Sequence, residues 1–126
     1  MSMLKKANRL VISMLLAAAA CAVNAEVKLP DGNDWAESTE REHIAYILGL
    51  SNTLSVGYVA DEKRLPGNMN TFSHRAVEGL GDTSVEEAVK FVNSWYKAHP
   101  AQLDTPIFKV IWDEIGEPRL AKSKAK

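Results

Sequence analysis

Cysteine is almost absent: one in 126 residues. A lone thiol cannot close an intrachain disulfide, so a small cystine-stapled scaffold is excluded. An excess of basic charge is missing as well. Fifteen Lys and Arg face 16 Asp and Glu, and the isoelectric point lies near 6.3. Such a chain lacks the positive field that a general nucleic-acid binder uses to attract phosphates. No serine stands in a Gly-x-Ser-x-Gly turn, no glycine loop is built to cradle a phosphate, and no His-Glu-x-x-His pair occurs. No internal repeat is visible. These absences point away from catalysis and from a bound cofactor.

What is present is unevenly spread. Lys5, Lys6 and Arg9 precede an apolar run from Leu10 to Ala20, followed by small residues. This is the order of a secretory signal. The run would cover about 16 Å as a helix, roughly half of a hydrocarbon core of about 30 Å, so it is a poor membrane span. Val23-Asn24-Ala25 offers small residues at −3 and −1, which places cleavage after Ala25 and assigns 1–25 as signal peptide. Two other readings stand beside it. The run could be a buried N-terminal helix, or Ala18-Ala19-Ala20-Cys21 could act as a lipobox, with Cys21 lipidated and the domain tethered to a membrane. Cleavage after Ala25 removes three cations and no acid, so the net charge falls from −1 to −4. The expected product, 26–126, is one small acidic domain without cysteine, long enough for a single core.

The patterning of that domain predicts an all-α fold: a bundle of three to five helices with a long irregular middle connection. Residues 26–34 read as an extended lead and turn. Thr39 with Glu42 forms a capping box, and Ile44, Ile47, Leu48, Ser51, Leu54 and Tyr58 then mark one face of a helix to about Val59. Gly49, Ser51, Ser55 and Gly57 lie on or beside that face, which suits close helix approach or an internal cavity. Thr83 or Ser84 with Glu86 and Glu87 gives a second capping box. From there Val85, Ala88, Val89, Val92, Trp95, Tyr96 and His99 trace a stripe that stops before Pro100. Thr105-Pro106 opens a last helix with Ile107, Val110, Ile111 and Ile115 on its apolar face, and Gly116 with Pro118 closes it. The core is expected over about 34–116, with a disordered basic tail over about 119–126.

Three histidines remain. Glu40-x-x-His43 has half of a di-iron spacing, but only one copy exists, so an ion pair is the simpler reading. His99 caps a helix C-terminus. His74 sits in the irregular stretch 60–82, where a short helix around His74 to Leu80 is the alternative reading and a lone histidine is weak support for acid–base chemistry. A hydrolase built on His74 is the least favoured option. Long irregular stretches are often functional, so Lys63, Arg64, Asn68, Asn70 and His74, read as exposed, are the candidate partner-binding residues. No catalytic, cofactor or metal residues are assigned.

Trp35, Tyr46-Ile47-Leu48-Gly49, Trp95-Tyr96 and His99-Pro100 before an apolar last helix together resemble the resistance-associated (Rap/Tai) immunity family of exported bacterial proteins. The resemblance covers roughly 34–115. It implies a small helical periplasmic protein, often a dimer, that binds and blocks a peptidoglycan amidase delivered by type VI secretion and has no catalytic residues of its own. Many members carry a cysteine in the middle segment and another after the last helix. Here Phe72-Ser73 and Gly116-Glu117-Pro118 stand in those places. The alternative is a cell-envelope module that holds an apolar small molecule between its helices.

Overall fold

Two capping boxes set the frame of the molecule. In the computed structural model, which describes residues 26–126, Thr39 caps a 25-residue helix and Ser84 caps a 14-residue one. At each cap the hydroxyl accepts the backbone N–H three residues on, and the Glu at that position accepts the N–H of the cap. These hydrogen bonds hold the carboxylates of Glu42 and Glu87 below the usual range. The expected export segment, the cleavage site read after Ala25 and Cys21 fall in 1–25, outside the described residues.

In chain order the helices are α1 (Gly32–Glu37), α2 (Glu40–Arg64), α3 (Phe72–Leu80), α4 (Val85–Ala98), α5 (Ile107–Ile111) and α6 (Glu117–Lys124). A single π-turn, Trp112–Gly116, joins α5 to α6 without a break. The fold is a small all-α bundle with no strand among the described residues. Helix α2 packs against α3 and α4, α4 against α5, and α3 against the π-turn and α6. The stripe of α4 forms the centre: Val92 is fully enclosed, with Val89, Tyr96, Ile107, Val110 and Ile111 around it. Trp35 closes one end and donates its indole N–H to Asn93 Oδ1 at 2.7 Å.

Several expectations change. The lead does not end in a turn: Asp31 accepts from the N–H groups of Asn33 and Asp34, and Asp34 reaches back to the N–H of Asp31, so a further capping box starts α1. Helix α2 does not end near Val59. Asp61-Glu62-Lys63-Arg64 continues it, with two cations placed at the negative end of the helix dipole. It stops at Leu65, the residue before Pro66, which cannot stay helical. Thr105 does not cap α5; Pro106 takes the cap position without a side-chain bond, and the Thr105 carbonyl accepts the Tyr96 hydroxyl at 2.6 Å.

The C-terminal stop and the disordered tail are also corrected. The Glu117 N–H donates to the Trp112 carbonyl, five residues back. The ladder has therefore already shifted where the N–H missing from Pro118 would break it. Gly116 is there for space: a Cβ on it would come within 2.7 Å of the Trp112 ring, and a Cβ on Gly79 within 2.7 Å of the Gly116 carbonyl. Beyond this crossing Leu120 is buried, and Arg119 donates to Thr83 Oγ1 at 2.7 Å.

Candidate partner-binding surface

The middle segment is shorter and more ordered than its composition suggests. Its irregular part is Leu65–Thr71, the link between α2 and α3, together with the turn that follows Leu80. Gly67 supplies the left-handed step (φ 74°), and Asn68 Oδ1 accepts the Asn70 N–H at 3.0 Å. Thr71 then caps α3, accepting the His74 N–H.

His74 is the correction among the candidate residues. It is 2% exposed, so its side chain offers nothing to a partner. Its Nε2 lies 2.6 Å from Glu62 Oε1, its Nδ1 2.7 Å from Thr71 Oγ1, and its ring packs against Tyr58 at 4.4 Å. In the Nε2–H tautomer the arrangement is complete: the ring donates to Glu62, and Thr71 donates to Nδ1 while accepting the backbone N–H. The imidazole thus ties the end of α2 to the start of α3. A hydroxyl, an imidazole and a carboxylate in a row have the outline of a hydrolytic triad. Here the hydroxyl is spent on a helix cap, and none of the three lines a cavity described in the molecule.

The other four candidates, Lys63, Arg64, Asn68 and Asn70, are exposed. They share the tip of the α2–α3 link with three apolar side chains. Leu65, Met69 and Phe72 are each at least half exposed. Phe72 leans on Phe108 and Trp112 at ring distances of 5.8 and 5.4 Å, and the Arg75 guanidinium lies 5.7 Å from the Trp112 ring. A basic and amide tip therefore runs into an aromatic ledge from α3, α5 and the π-turn. The sequence signal for that ledge is weak, because Phe108 and Trp112 flank the α5 stripe and their exposure depends on which neighbour α3 brings.

His43 and His99 are structural. His43 stacks on Trp35 at 3.8 Å and meets its carbonyl through Nε2 at 2.7 Å. His99 stacks on Trp95 and meets that residue's carbonyl through Nδ1. Each ring nitrogen so placed must carry the proton and donate. Among the described residues no group of three or more His, Cys, Asp or Glu is placed to hold a metal. No described helix is long and apolar enough to cross a membrane.

A concavity lies between α2, α3, α4 and α5. It holds about 320 Å³ and is lined chiefly by Ile47, Leu50, Leu54, Ala76, Leu80 and Ile111, with Ser51 and Ser55 at its edge. No tryptophan lines it, whereas two other concavities, of about 470 and 370 Å³, are lined in part by Trp35. Gly49 faces open space, and Gly57 instead lets α2 approach Ser73, whose Oγ would lie 2.5 Å from an added Cβ. Compared with family models, with curated proteins and with solved structures, the chain matches none.

Proposed function

We propose that the chain is a small exported protein that binds another protein through the α2–α3 tip and the adjoining aromatic ledge. One observation carries this: Leu65, Met69 and Phe72 stand half exposed or more, beside two cations and an Arg–Trp contact. Exposed aromatic and apolar anchors with arginine are the composition of binding hot spots. The basic run and apolar segment at the N-terminus support export to the periplasm, with a lipid anchor at Cys21 as the variant of that reading. The resemblance carried by Trp35, Tyr46-Ile47-Leu48-Gly49 and His99-Pro100 supports a specific role: an immunity protein that occludes a cell-wall amidase, acting by coverage and not by catalysis.

The test first asks whether a cell-wall hydrolase is encoded beside this gene, and then runs a binding and protection assay against it. Binding with inhibition of peptidoglycan cleavage is the expected result. Phe72→Asp should weaken the complex at least ~30-fold, the size of a hot-spot loss of about 2 kcal/mol, while Lys122→Ala leaves it unchanged. No complex, with unchanged survival of a deletion strain challenged by that hydrolase, would sink the amidase reading. The 320 Å³ groove favours the second reading, an envelope module for an apolar ligand, because it falls at the small end of ligand-sized cavities.

A further inference from the structure

The two ends of the 320 Å³ groove differ in charge. Along α2 it is lined by Ile47, Leu50 and Leu54 with Ser51 and Ser55 at the rim, the i, +3, +4, +7, +8 spacing of one helical face. No charged side chain lines it. Ser55 turns its hydroxyl to the Ser51 carbonyl at 2.9 Å, so the rim spends a donor on its own backbone. Helix α3 returns antiparallel to α2, with His74 beside Glu62 and Ser73 against Gly57. The turn after α3 therefore carries Gly81 and Thr83 to the Ile47 end of the groove, which both of them line.

At that end a cation joins the wall. Arg119, exposed on α6, donates from Nη1 to Thr83 Oγ1 at 2.7 Å. Among the described residues it is the one charged side chain hydrogen-bonded to a side chain of the lining. With Nη1 held, the Nε–Nη2 edge remains, the edge that meets a carboxylate through two parallel bonds. Glu87, the acid that feels the charge of Arg119, is spent on the Ser84 cap. The dimensions set a chain length. From Ile47 to Ser55 the groove follows α2 for about 12 Å, and an extended chain gains about 1.2 Å per bond, which fits about ten carbons. The volume agrees: at roughly 30 Å³ for a group the size of a water, 320 Å³ takes about ten. We propose that this groove binds a single-chain aliphatic carboxylate of about ten carbons, its chain along α2 and its carboxylate on Arg119 beside Thr83. Such a ligand rests on the reading of the groove as an apolar-ligand site and gives that site a charge and a length.

The test titrates decanoate into the full chain, expressed in a host that exports it and stripped of bound lipid, by calorimetry and methyl NMR. Saturable one-to-one binding is expected, with the alkyl protons in contact with the methyl groups of Ile47, Leu50 and Leu54. Each carbon added from hexanoate to decanoate should tighten binding roughly fourfold, and carbons beyond about ten should add little. Arg119→Gln keeps a donor for Thr83 but removes the charge. It should weaken decanoate at least ~10-fold and leave the neutral decanol unchanged, with helical circular dichroism retained. Asp82→Asn, which removes an exposed acid from the same turn, should not weaken decanoate. Decanol binding as tightly as decanoate, decanoate indifferent to Arg119→Gln, or decanoate weakened by Asp82→Asn overturns the carboxylate assignment and leaves an apolar-ligand groove. No binding of either molecule overturns both. Alkyl contacts at Phe72 and Trp112 in place of Ile47 and Leu54 overturn the location.

Discussion

Tyr96 shows how one side chain ties the fold to pH. Its hydroxyl reaches out of α4 to the Thr105 carbonyl at 2.6 Å. Burial, with the charges of Asp31 and Tyr46 adding to it, pushes its phenol up to about 12 from an ordinary 10. The folded chain therefore keeps a proton that the unfolded chain begins to lose near pH 10. The stability this supplies is full below about pH 10 and drains as the pH climbs toward 12. Tyr46, raised by its own burial, adds to the same window. Urea unfolding free energies should be level up to about pH 9.5 and fall between about 10 and 12. Tyr96→Phe should flatten that fall. At neutral pH it should cost about 1–2 kcal/mol, because the Thr105 carbonyl loses its donor.

Among the elements, glycine marks where two helices touch. Where α3 crosses the π-turn, Gly79 and Gly116 meet backbone to backbone, and no side-chain end is there to give way. Gly79→Ala should therefore destabilise by about 1–3 kcal/mol. Gly49→Ala, with nothing within 4 Å of the added carbon, should be neutral or gain about 0.5–1 kcal/mol. Thermal melts of the two variants check the contrast. The same crossing explains what a sequence can and cannot disclose here. The boxes at Thr39–Glu42 and Ser84–Glu87 and the stripe of α4 are legible because each is a local pattern within a few turns. Gly116 and Pro118 mislead because their local meaning is termination, whereas their actual constraint comes from Gly79 and the Trp112 ring. Thr71 is hard to recognise as a cap, since His74 and not a Glu or Gln follows three residues later. The candidate surface is legible by half. Lys63, Arg64, Asn68 and Asn70 are exposed as their polarity suggests. His74 turns inward because α2 continues past Val59 and carries Glu62 to it, a consequence of helix length that no residue near His74 announces.

At the scale of the whole molecule, the C-terminal segment belongs to the core. Leu120 is 4% exposed, and Ser123 Oγ donates to Glu78 Oε1 at 3.1 Å. Truncation after Gly116 should lower the melting temperature by at least ~8 °C, from the loss of one buried leucine, worth about 2 kcal/mol or more, in a domain of this size. Truncation after Lys124 should leave it unchanged, and differential scanning fluorimetry distinguishes the two. The opposite end of the domain is closed by distant chain. The Ile107 N–H donates to the Pro30 carbonyl at 2.9 Å, the Gly32 N–H donates to the Leu103 carbonyl at 2.7 Å, and Asn33 reaches that same carbonyl across 70 residues of sequence. For a chain that emerges N-terminus first, the opening residues must wait for the start of α5. At roughly 5–20 residues per second, 70 residues take roughly 4 to 14 s to make. During that interval the backbone of the lead lacks the partners it meets at Leu103 and Ile107, although Trp35 can already stack on His43. This end of the domain closes only once the start of α5 has been made.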